Sequence, residues 1–175
     1  MTGKVIRDWR RENNLTQKRL AEEAVRHFES GFSLMKVKLG YGLEDDLAVM
    51  GEVRRALAGR PVTLMVDTNH AYGRAEALRL GRALEEYDLR WYEEPVAPEK
   101  LTETLAIRRG IRQEMAGGEF LFGVKGFEPL CREYAVGVIM PDVKHCGGML
   151  EMTRIAAMAD VIGVLAAIAA AWSSG

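Results

Sequence analysis

The chain has 175 residues, enough for one domain with a real core. Hydrophobic residues make up 48% and charged residues 28%, which excludes the composition of a disordered chain. A net charge of −1 gives no general attraction to nucleic acid or to an anionic membrane.

Helical and extended patterns then alternate. "LTQKRLAEEAVRHFESG" (15–31) carries apolar residues at helical spacing and closes on Gly31. "LMKVKLG" (34–40) alternates like a strand. "LEDDLAVMGEVRRALAG" (43–59) is a helix with an acidic start. "VTLMVDT" (62–68) is a nearly continuous apolar strand. "RAEALRLGRALEEYD" (74–88) is predicted helical, followed by the strand "RWYEE" (90–94), which Pro95 ends. The same alternation gives a helix at 100–112, a weaker strand at 113–119, a helix at 127–135, a strand at 136–143 and a helix at 149–162. The apolar run 161–172 reads equally as strand or helix end, and it is shorter than a bilayer span. Such alternation implies βαβ units and a parallel sheet buried on both faces.

Ligands of such sheets gather at the carboxyl ends of the strands. Four apolar segments stop there on an acid: "MVDTNH" on Asp67, "WYEEP" on Glu93 and Glu94, "MAGGE" on Glu119 and "VIMPD" on Asp142. One such acid is explained by solvent at a strand end; four in succession point to a shared site. Asp67, Glu93 and Glu119 crowded into one crown repel one another unless a cation stands between them. Oxygen donors from separate strands suit a hard ion such as Mg²⁺. Asn69 adds an amide to the same crown. Lys36 and Lys38, two apart in "KVK", face one side of their strand. Burial and mutual repulsion would lower a lysine pKa there and free one amine as a general base.

"MKVKLG", "MVDTNHAY", "WYEEP", "AGGE" and "MPDVKHCGG", in this order, resemble the enolase superfamily, in its mandelate racemase-like branch that includes acid-sugar dehydratases. The resemblance covers roughly residues 15–162. It implies an α/β fold, a partial (β/α) barrel of five to six parallel strands with flanking helices. It implies abstraction of a proton α to a carboxylate in a small carboxylic or sugar acid, with Mg²⁺ stabilising the enediolate. Motif by motif, Asp67, Glu93 and Glu119 match the metal ligands, Glu93 being the first acid of its motif. Lys38 matches the base, Lys36 the partner that polarises the substrate carboxylate, and Asp142 the aspartate of an Asp–His dyad. Asn69 is expected to meet substrate.

The sequence departs from that pattern. The capping domain and the last barrel units have no counterpart, and no histidine follows His145 where the dyad partner should stand. Phe120 occupies a position that is often polar in relatives. An eight-stranded barrel needs roughly 200 residues or more. The expectation is therefore a truncated, rearranged or engineered barrel fragment: an altered segment at 1–14, the barrel fragment at 15–162 and an altered apolar segment at 163–175. Activity is then impaired or lost, and an inactive scaffold, with a homodimer covering the sheet edges, is the competing reading.

Residues 6–24 also look like the first two helices of a repressor-type helix-turn-helix, and residues 1–27 hold seven Lys/Arg against four Asp/Glu. A recognition helix should come next, yet "SLMKVKLG" turns into a strand, so no nucleic-acid partner is expected. Cys131 and Cys146 fit neither a disulfide framework nor zinc spacing, and the N-terminus lacks the apolar core of a signal peptide. A soluble, cytoplasmic protein without a membrane partner is expected.

Overall fold

A computed structural model describes residues 17–167. Helix α1 (Gln17–Glu29) leads into strand β1 (Leu34–Lys38), α2 (Leu43–Ala56) and β2 (Thr63–Asp67). Next come α3 (Arg74–Ala83) with a 3-10 turn at Leu84–Tyr87, β3 (Leu89–Glu93), α4 (Leu101–Gly110) and β4 (Glu114–Gly117). The chain continues through α5 (Gly123–Arg132), β5 (Val138–Ile139), α6 (Met149–Ile162) and β6 (Leu165–Ala166). All six strands are parallel and lie side by side in sequence order. This is the six-stranded form of the expected partial barrel, and the ambiguous run after Ile162 yields a strand. Residues 1–16, including the altered segment 1–14 and half of the helix-turn-helix resemblance, lie outside the described residues. The helix α1 is followed by β1 and not by a recognition helix.

The middle strands of the sheet are apolar on both faces, whereas β1 alternates between exposed and half-buried residues. Leu64, Val66, Tyr92, Met115 and Ile139 face the helices and join Val53, Leu80, Ile107, Phe127 and Ile155 in the main core. Met65, Trp91, Ala116, Val138 and Met140 form a second, inner cluster. On the first and last strands Leu34 and Leu165 remain 59% and 54% exposed.

Register decides which residues stand level at the strand tips. Lys38 pairs with Asp67, Asp67 with Glu93, and Glu93 with Ala116. Between Leu64 and Val66 on β2 and Leu89 and Tyr92 on β3 the pairing shifts by one residue, a bulge. Without it, alternation would turn the tip residues of β3 to the opposite faces.

Two elements differ from the sequence expectation. Helix α5 starts at Gly123 and not at Phe127. "GVKG" reads as loop, but the Glu151 carboxylate of α6 accepts a hydrogen bond from the Val124 N–H (3.0 Å), capping the helix from a distance. Strand β5 covers only two residues, so Asp142 lies three residues beyond its end, where the following turn begins.

The loop after β1 is held by Asp46, a buried acid in the first turn of α2. It accepts from Gly40 N–H (2.8 Å), Tyr41 N–H (3.1 Å) and the Tyr72 hydroxyl. Gly40, at φ +105°, would place a Cβ 2.8 Å from Ala71 Cβ, so the β1 and β2 loops touch backbone to backbone. Replacing Asp46 with alanine orphans these donors and should cost on the order of 3 kcal/mol, seen as a lower urea midpoint at unchanged slope.

Candidate metal and proton-transfer site

Asp67 and Glu93 end β2 and β3, and neither side chain has exposed surface. Lys36 Nζ lies 2.8 Å from Glu93 Oε1, 3.0 Å from Oε2 and 3.3 Å from Asp67 Oδ2. Lys38, half exposed, bonds to Asp67 Oδ2 and donates to Asn69 Oδ1 (2.8 Å). The Asn69 amide in turn donates to Glu119 Oε1 (2.9 Å), and its backbone N–H donates to Asp67 Oδ1 (3.0 Å). One network therefore contains Lys36, Lys38, Asp67, Asn69, Glu93 and Glu119. Asp142 is buried but stands outside it, accepting from Lys144 N–H (2.7 Å).

Charge explains the titration of these groups. Burial pushes the Glu93 carboxyl up to about 7, Asp67 adds to the rise, and Lys36 only partly opposes it. Burial would also raise Asp67, but the ammonium groups of Lys38 and Lys36 hold it below its ordinary value. Glu119 is raised by burial, then by Glu94 and Asp67. Burial would lower Lys36, yet the attraction of Glu93 and then Asp67 outweighs it and raises the pKa. The sequence expectation of a lysine depressed by burial and repulsion is therefore wrong for Lys36: the acids reach it more closely than any like charge.

Among the described residues no three carboxylate, histidine or cysteine donors stand close enough to hold a metal ion as arranged. The Lys36 ammonium occupies the space between Asp67 and Glu93. The donor chemistry still fits a hard divalent ion, since three carboxylates lie at three adjacent strand tips and two cannot stay buried without positive charge.

Several contributors were not evident from sequence. Trp91 donates its indole N–H to Glu93 Oε2 (3.1 Å), a pairing encoded two residues apart on one strand face. Glu94 turns away from the network toward β4. His70 Nε2 lies against Glu94 Oε2, and its ring packs edge-on against Phe120, whose ring also meets His145. Asn69, His70 and Glu94 all have left-handed backbone (φ 43°, 61° and 42°), which curls the strand tips over the inner face.

Residues 19–175 match the family described as Enolase C-terminal domain-like, and the chain belongs to that family. It is 38% identical to the D-galactarolactone cycloisomerase of Agrobacterium fabrum over 144 residues, which are 82% of this chain and 38% of the relative. The crystal structure of the 3,6-anhydro-D-galactonate cycloisomerase from Zobellia galactanivorans superposes with a TM-score of 0.85 at 34% identity, covering 89% of this chain and 44% of that one. L-talarate dehydratase from Polaromonas sp. JS666, complexed with Mg and L-glucarate, gives 0.83 at 30% identity, with 89% and 44% covered. The chain thus spans about two fifths of the length of the relatives it matches. No helix of the described residues is long and apolar enough to cross a membrane.

The shift of Glu93 has a consequence for stability. Between its ordinary 4.5 and about 7 the folded chain binds a proton that the unfolded chain has released, so stability falls as pH rises through that window. Asp67 acts in the opposite sense, and its contribution is lost as pH falls through its lowered value. Urea melts with chelator present should show the decline between pH 4.5 and 7, and Glu93→Gln should flatten it.

Proposed function

We propose that this chain carries the metal-holding and proton-abstracting part of an enzyme that removes a proton α to a carboxylate, of the racemase or acid-sugar dehydratase type. The observation behind this reading is the row Lys38–Asp67–Glu93, set level by strand register with a lysine against the acids. Asp67, Glu93 and Glu119 are the residues that would hold Mg²⁺. When bound, the ion supplies positive charge that offsets the negative charge developing on the substrate carboxylate.

The chain's own residues do the rest. Lys36, which lies between Asp67 and Glu93, would direct its ammonium to the substrate carboxylate if Mg²⁺ took over those two acids. Lys38 sits at the open end of β1 with its side chain 54% exposed, within reach of solvent and of a small acid. Lys38 would accept the α-proton at Nζ once its ammonium has given up a proton to solvent, which its half-exposed side chain permits. Asn69 holds Lys38 on one side and Glu119 on the other, and so ties the proposed base to a proposed ligand. We take the substrate class, a hydroxy acid or sugar acid, from the substrates named for the relatives.

A second reading is favoured by one feature of the same site. Lys36 and Lys38 already neutralise the buried acids, so the network is satisfied as a static bridge between strands and would serve an inactive scaffold equally well.

Mg²⁺ separates the two. Under the enzyme reading it should raise the thermal midpoint, by an amount equivalent to about 2.7 kcal/mol at one hundred times its Kd, and Asp67→Asn should abolish the rise. In deuterated solvent with Mg²⁺, label should enter α to the carboxylate of at least one hydroxy or sugar acid, and Lys38→Met should stop it. An unchanged midpoint at millimolar Mg²⁺ selects the scaffold.

A further inference from the structure

Glu94 directly follows a proposed ligand yet serves the other side of the sheet. Its Oε1 accepts from Gly118 N–H (2.7 Å) and Glu119 N–H (3.1 Å), while its Oε2 lies against His70 Nε2. Its backbone carbonyl accepts from His70 N–H (2.8 Å) and the Thr68 hydroxyl (3.1 Å), and its N–H donates to Ala116 O (3.0 Å). One buried residue therefore joins the tips of β2, β3 and β4.

Two glycines permit this. A Cβ on Gly117 would come within 3.1 Å of Glu94 Cγ, so the side chain lies where a substituent would otherwise stand. Gly118, at φ +106°, turns its own N–H and that of Glu119 toward a common point, an anion-binding nest. A Cβ there would also meet the Phe127 ring at 2.9 Å. Behind Glu94 is a small cavity lined by Val96, Thr104, Leu130 and Val136.

We infer that Glu94, pinned by His70 and seated in the amide nest of Gly118 and Glu119, is the positioning residue that aims the Glu119 carboxylate at Asp67 and Glu93. The inference rests on the metal-site reading above. Glu119 lies two residues past the end of β4, beyond the ladder bonds that fix Asp67 and Glu93. Its backbone is held by Glu94 and its carboxylate by Asn69, and the segment 69–70 supplies both Asn69 and the histidine that holds Glu94. Glu94 touches neither the proposed base nor the inner face; it acts only through Glu119. Groups that orient ligands in this way typically contribute 10–100-fold to metal affinity.

Mg²⁺ titration calorimetry and amide hydrogen exchange, run on the same variants, test the inference. Glu94→Ala should weaken Mg²⁺ binding by about 10–100-fold and speed exchange at the Gly118 and Glu119 amides. Glu94→Gln keeps an acceptor for both amides and should restore slow exchange and most of the affinity. Gly117→Ala retains every ionisable group but displaces Glu94 Cγ, and should weaken binding in the same direction if Glu94→Ala does not fold. Wild-type affinity and slow exchange in a folded Glu94→Ala chain, or in Gly117→Ala, would overturn the assignment. If the wild-type chain binds no Mg²⁺, the metal reading falls by itself. Exchange at the two amides then decides whether Glu94 holds this loop.

Discussion

Two carboxylates without exposed surface end neighbouring parallel strands, and the sheet tolerates them because positive charge reaches both. Isolated buried carboxylates would cost several kcal/mol each, far more than a strand tip gains from its ladder bonds. Lys36 reaches across to Glu93 and Asp67, and Lys38 holds Asp67 from the adjoining tip. The amine and the acids are thus mutually dependent. A strand that carried only the lysines would leave two cations facing an apolar inner cluster of Met65, Trp91 and Val138.

This dependence bears on how a divalent ion would bind. The ammonium of Lys36 lies between Asp67 and Glu93, where the proposed ion would also sit. Binding would then exchange one counter-charge for another, and Lys36 would need a new partner.

Much of the fold was legible because its signals are local. Period-two and period-3.6 patterns, separated by Gly31, Gly59 and Pro95, marked most of the strands and helices within a few residues. The start of α5 was not, since its cap is the Glu151 side chain, 27 residues distant. The family was legible from five short motifs in order, and Lys36, Lys38, Asp67, Asn69, Glu93 and Glu119 do come together in one network. Asp142 remains outside it because β5 ends at Ile139 and the carboxylate turns back to the Lys144 N–H of the following turn. Sequence shows that Lys36 and Lys38 share a face, but not that acids on two other strands lie near enough to raise the Lys36 pKa. The role of Glu94 was hidden for a similar reason: its neighbour carried the family motif, and its partners, His70 and the Gly118 and Glu119 amides, lie on other strand tips.

The different partners of Glu93 and Glu94 have a consequence for how the molecule transmits change. Glu93 looks into the barrel and Glu94 looks toward the helix layer, with a single peptide bond between them. The space behind Glu94 is bounded by Thr104 of α4 and Leu130 of α5. A larger side chain at either position pushes on the carboxylate that aims Glu119, although it has no view of the strand tips itself. Outer-layer residues thereby become levers on the centre, and drift in the helices is bounded by chemistry on the far side of the sheet.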